Sequence, residues 1–167
     1  MPVPPIDHDP IGGILMAHSV VAAYIHFVWT TKYRTRSLTD ERRRRVRTHI
    51  QEYALQNGIA IKALDVQPEH VHVLVFLKGS QRVDEMAKLL KGESSHWINA
   101  TEVRPGKFFW QRGYWAGSVS YKHVDTVKRY IENQDAHHKR LSFFQEFEGM
   151  LIEHGFDKDQ IAELLRL

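Results

Sequence analysis

Twenty residues, IAIKALDVQPEHVHVLVFLK (59–78), limit the fold more than any other feature of this sequence. Two runs rich in β-branched and apolar residues, 59–66 and 70–78, are separated only by a tight QPE connection. Strands joined so closely pair as an antiparallel hairpin. Side chains alternate between the faces of a strand, so Val71, Val73 and Val75 share one side while His70, His72 and Leu74 share the other. The valines read as core. Two neighbouring imidazoles are either an accident of a solvated face or half of a metal site, and the strand alone leaves both readings open.

The hairpin sits inside a regular succession of elements. HSVVAAYIHFVWTTKYR holds a strand over about 19–30, rich in β-branched and aromatic residues. A helix follows, with Thr39 as N-cap and Gly58 as the stop. Its apolar stripe is Leu38, Val46, Ile50, Tyr53 and Ala54. After the hairpin, RVDEMAKLLKGESSHWINA reads as a helix that Gly92 could break. A loop rich in glycine and aromatics ends in a short strand over 115–120, and residues 121–140 read as one helix. Residues 143–167 are expected to form one or two short helices. The order β-α-β-β-α-β-α predicts an α+β fold, a ferredoxin-like plait whose antiparallel sheet carries helices mainly on one face.

A chain of 167 residues suits one main domain, expected over 17–147, with a helical tail over 148–167. Residues 1–16 hold four of the six prolines and a Gly-Gly pair, and are expected to be a flexible extension. No apolar run approaches the roughly 20 residues that span a bilayer, and no basic-led signal segment opens the chain. These features point to a cytoplasmic protein with no membrane partner. The absence of cysteine excludes disulfides, thiolate zinc sites and a cysteine nucleophile. The formal charge of +3 names no partner, but ERRRRVR concentrates Arg42, Arg43, Arg44, Arg45 and Arg47 on one helix. They are either a solvated face or a set of phosphate contacts.

A second stretch changes the weight of the histidine pair. In VKRYIENQDAHH, Tyr130 and Gln134 stand four apart, which places them on one helical face, with His137 and His138 one turn further. Singly, each has an ordinary reading as a packed or solvated residue. Together they suggest a nuclease. Two neutral imidazoles and an amide oxygen could hold a divalent metal, which acts as a Lewis acid on a phosphodiester. A tyrosine beside it could attack phosphorus and store the bond as a phosphotyrosine. Neither a Gly-rich nucleotide loop nor the clustered carboxylates of a two-metal nuclease are present. His26, His49, His96 and His123 read as structural, Asp65 as an exposed carboxylate or a group orienting an imidazole. Among Trp97, Phe108, Phe109, Trp110, Tyr114 and Trp115, core is the default and base stacking the alternative.

These blocks resemble a known family. His70-Val71-His72 matches the His-hydrophobic-His signature of the HUH endonucleases. More narrowly, HFVWTTKYR (26–34), HVHVLV (70–75), FWQRGYWAGSVS (109–120) and YIENQDAHH (130–138) are similar to the single-tyrosine transposases of small bacterial insertion sequences that move as single-stranded DNA. The resemblance implies Mg²⁺ or Mn²⁺ held by His70, His72 and Gln134. It also implies a Tyr130 nucleophile that forms a 5′-phosphotyrosine, hairpin-bearing single-stranded DNA as substrate, and a homodimer with shared active sites. Two alternatives stand beside it: a domesticated relative that processes repeated palindromes, and a non-catalytic regulator that binds DNA or RNA hairpins. The second would need neither the Tyr130 hydroxyl nor the histidine pair.

Overall fold

The computed structural model describes residues 20–137 and 142–166, so the expected extension over 1–16 lies outside the described residues. The chain divides into two compact units, one ending at Glu132 and one beginning at Asn133.

The first unit is built on four strands, β1 (Ala23–Thr30), β2 (Ala60–Val66), β3 (His70–Leu77) and β4 (Trp115–Val119). They lie in the order β2-β3-β1-β4, and every neighbouring pair is antiparallel. Helix α1 (Asp40–Gln56) connects β1 to β2, and α2 (Val83–Ala100) connects β3 to β4. Each crossover therefore skips one strand, which is the ferredoxin-like plait expected from the element order. The β2–β3 hairpin closes as predicted, with the Gln67 amide donating to the His70 carbonyl at 2.7 Å.

Local signals explain most boundaries. Thr39 caps α1, its side chain accepting from the Arg42 amide at 3.5 Å. Gly58, at φ 64°, turns the chain out of the helix and into β2. Gly92 does not break α2, which runs unbroken through it. Its position is exposed, while Leu90, Ser94 and Ile98 are buried on the other side of the helix. Packing of that face outweighs the propensity cost of one glycine, about 1 kcal/mol.

The sheet buries both faces. On one, Phe27, Trp29, Val71, Val73, Val75 and Leu77 pack with Val46 and Ile50 of α1 and Met86, Leu90 and Ile98 of α2. On the other, Tyr24, Ala63, Leu74 and Phe76 pack beneath α3 (Val124–Glu132), which crosses β2 and β3 and buries Val124 and Ile131. The two long helices thus share one face, and the shorter α3 occupies the face that carries the histidines.

The single helix expected over 121–140 is not observed. A 3₁₀ turn at Tyr121–His123 leads into α3, Asn133 interrupts it, and α4 (Gln134–His137) begins anew; His138 lies outside the described residues. The Ala136 amide bonds back to the Asn133 carbonyl at 3.1 Å, the three-residue spacing of a fresh helical start. The periodicity of the sequence continues through Asn133, so it could not report this break. In the second unit Ser142 opens α5 (Phe143–Glu153) with a reciprocal capping box to Gln145, and α6 (Lys158–Arg166) follows. The tail is thus two helices.

Candidate active site

The hydrogen-bond register decides what the two histidines face. Across β1, His70 lies opposite Thr30, His72 opposite Val28, and Leu74 opposite His26. Across β2, His72 lies opposite Asp65. Cross-strand partners share a face. His26, Asp65, His70 and His72 therefore stand on the α3 side of the sheet, with the valines of β3 on the other. His70 and His72 are both fully buried, which removes the reading as a solvated surface pair. Burying unpaired polar rings costs free energy, so the surroundings of these rings matter.

Their partners are specific. The ring centroids of His70 and His72 are 5.0 Å apart, with planes at 81°. His26 Nε2 lies 3.0 Å from His72 Nδ1, a buried hydrogen bond between imidazoles. Glu69 Oε1 is 3.5 Å from His70 Nδ1, and Arg36 donates to the other oxygen of Glu69 at 3.0 Å. Behind His72 runs a chain of side chains. Asp65 accepts from Gln67 Nε2 at 2.6 Å, Gln67 Oε1 accepts from Arg43 at 3.1 Å, and Arg43 reaches Asp40 at 3.5 Å.

Helix α3 brings Tyr130 over this group. Its ring centroid lies 5.8 Å from that of His72 and 6.3 Å from that of His26, nearly perpendicular to both. The side chain is half-buried, a ring anchored among imidazoles yet reachable from solvent. The structure thus brings Tyr130 beside His72, which in turn stands beside His70. Gln134 begins α4 in the second unit, where its Nε2 donates to Glu146 Oε1 at 2.9 Å. Both groups are buried.

His26, read from the sequence as structural, is buried with its Nε2 against His72. Its only warning was the one His72 carried, a histidine inside an apolar strand. The arginine cluster divides. Arg43 is committed to Gln67 and Asp40, and Arg42 donates to the Ser37 carbonyl at 3.2 Å. Arg44, Arg45 and Arg47 are exposed, with the Arg45 guanidinium 5.9 Å above Trp97. Arg42 also lines an open cleft of about 800 Å³ with Arg104, Lys107 and Phe109. Of the aromatics, Phe108 and Trp110 are core, Phe109 and Tyr114 exposed. Trp115 sits edge-on to His26 at 5.3 Å. No helix among the described residues is long and apolar enough to cross a membrane.

Comparison with known proteins agrees with this fold. Residues 19–134 match the family described as Transposase IS200 like. Over 114 residues the chain is 29% identical to the ISDra2 transposase TnpA of Deinococcus radiodurans, covering 65% of this chain and 81% of that protein. A solved Deinococcus radiodurans R1 structure assigned as a transposase is 31% identical, with a TM-score of 0.57 over 70% of this chain and 94% of its own. A REP-associated tyrosine transposase, solved bound to a REP hairpin, is 19% identical with a TM-score of 0.54, covering 70% of its own chain and 71% of this one. At that identity the likeness speaks for the fold alone.

Proposed function

The chain belongs to the IS200-like transposases, and from that membership we propose that it cleaves and rejoins single-stranded DNA at hairpin-bearing ends through a covalent phosphotyrosine on Tyr130. The observation that carries this reading is the Tyr130 ring, half-buried and 5.8 Å from His72 on the one sheet face that also holds His70.

The residues divide the work. Tyr130 Oη attacks phosphorus; the new O–P bond forms as the bond to the 3′ oxygen breaks, and the phenolic proton is balanced by the one the freed 3′-hydroxyl gains. The 5′ phosphate then stays on the protein, so a later 3′-hydroxyl can attack it and restore tyrosine without outside energy. His70 and His72 are the proposed nitrogen ligands of a divalent metal. Two buried imidazoles side by side on a rigid central strand are a donor set that fits one, and suit Mn²⁺ better than Mg²⁺, which prefers oxygen and water. Such an ion supplies Lewis-acid stabilisation of charge on the phosphate oxygens. Gln134 is proposed as the third ligand on the strength of the family resemblance. Glu69 stands close enough to the His70 imidazole to orient it, as groups behind metal-binding histidines do.

The exposed Arg44, Arg45 and Arg47 are the proposed phosphate contacts, and Arg43, tied to Gln67, is removed from that set. The proposed assembly is a homodimer through the open edge of β4, which ends the sheet.

The test is incubation of the full chain with a library of single-stranded hairpins and Mn²⁺, followed by denaturing electrophoresis. Wild type should yield protein–DNA adducts, and Tyr130→Phe none, while hairpin retention at low salt survives the substitution. Adducts from the phenylalanine variant would overturn the assignment of the nucleophile. Absence of adducts from wild type over the whole library would overturn the strand-transfer reading.

A further inference from the structure

We propose that His26 is a positioning residue: its Nε2 accepts a hydrogen bond from His72 Nδ1–H, so that His72 presents Nε2 as its ligand atom. The inference rests on the metal reading above and adds the residue that selects the ligating nitrogen.

The two nitrogens are 3.0 Å apart, in surroundings where His26 is 5% exposed and His72 not at all. With both imidazoles neutral, as ligation through His72 requires, one proton lies between them and has two possible owners. If His26 Nε2 carries it, neutral His72 accepts at Nδ1 and must hold its own proton on Nε2, which blocks that nitrogen as a ligand. If His72 Nδ1 carries it, His72 Nε2 keeps its lone pair for a metal and His26 holds its own proton on Nδ1. The second arrangement alone is compatible with ligation through Nε2.

The sheet makes His26 suited to this task. It lies on β1, a central strand paired on both edges, directly opposite Leu74 on β3 and Gly117 on β4. The Gly117 position places no side chain beside the ring, and Trp115 closes on it edge-on at 5.3 Å. The Tyr130 ring stands on the same group, 6.3 Å away. His26 is therefore held by ladder hydrogen bonds and by aromatic packing, and not by a mobile loop. Partners of this kind typically change metal affinity about 10–100-fold when removed.

Two measurements on the full-length protein test the proposal. In the metal-free wild type, long-range ¹⁵N–¹H correlation of the histidine rings should find the His72 proton on Nδ1 and the His26 proton on Nδ1. A proton on His72 Nε2 would overturn the proposal whatever the variants do. The second measurement follows free Mn²⁺ by electron paramagnetic resonance during titration. His26→Leu should weaken binding about 10–100-fold. His26→Gln, whose side-chain oxygen can accept in place of Nε2, should stay close to wild type. Equal affinity in wild type and the leucine variant, or equal loss in both variants, would overturn a positioning role. If wild type binds no Mn²⁺, the metal reading fails separately, and the ring correlations still decide the proton's owner.

Discussion

A buried histidine can belong to the core or to a site, and His70 and His72 separate the two readings by experiment. Each is fully buried, so truncation to alanine leaves a cavity and destabilises the fold as well as removing a proposed ligand. We expect His70→Ala or His72→Ala to reduce adduct formation to background with a melting temperature lowered by several degrees. Wild type in excess EDTA should lose the same activity with its melting temperature nearly unchanged. The comparison isolates chemistry from packing. Adducts that persist undiminished in EDTA would remove the metal from the mechanism, and a variant that is inactive only because it is insoluble would return the histidines to the core.

Elements offer cleaner tests, and α2 supplies two of them. In α2, Gly92 is exposed inside an unbroken helix, and nothing lies within 4 Å of the position a Cβ would take. Gly92→Ala should therefore stabilise the protein by about 0.5–1 kcal/mol in urea unfolding. A loss of stability would show that the helix is strained there. On the same helix, Lys91 Nζ donates to the carbonyls of Gln111, Arg112 and Gly113 at 2.9, 3.1 and 2.6 Å, fastening the loop that leads into β4. An ammonium has three donors, matched here by three acceptors. Lys91→Met should cost about 1–3 kcal/mol at pH 7. Burial pulls the Lys91 ammonium down from 10.5 to about 8. Between those values the unfolded chain binds more protons at this site than the folded protein, so its contribution to stability rises with pH in that window. Wild type should gain on Lys91→Met in paired urea titrations from pH 8 to 10.5; a shrinking advantage would mean that the carbonyls, and not burial, dominate.

For the whole molecule the open question is where a complete site is assembled. Tyr130 stands beside His72 of its own chain, whereas the resemblance implies sites shared across a homodimer. A shared site then requires α3 to leave this position, and a self-contained site does not. Mixing Tyr130→Phe with His70→Ala His72→Ala protein, each inactive alone, distinguishes them. Exchange of nucleophiles predicts that a fraction of wild-type cleavage returns in heterodimers. With sites built inside each chain, proven subunit exchange should restore nothing.

The sequence determined what short-range signals can carry. The hairpin at 59–78, the cap at Thr39 and the stop at Gly58 rest on interactions within a few residues, and the alternation of β3 placed His70 and His72 on one face. It also supplied the kinds of group that the proposed phosphoryl transfer needs, with Tyr130 among them. What it could not determine depends on register and packing between distant segments. His26 meets His72 across 46 positions only because β1 pairs with β3 in one register, and a shift by one residue would turn its ring to the opposite face. Arg43 reads as one of five equivalent arginines until the hairpin turn delivers Gln67 to it. Gly92 stays helical and Asn133 ends a helix against the local pattern, because burial of one face outweighs propensity in the first case, and periodicity carries no information about chain breaks in the second. Local chemistry was legible because it is written in adjacent residues; the partners were decided by the sheet that brings distant residues together.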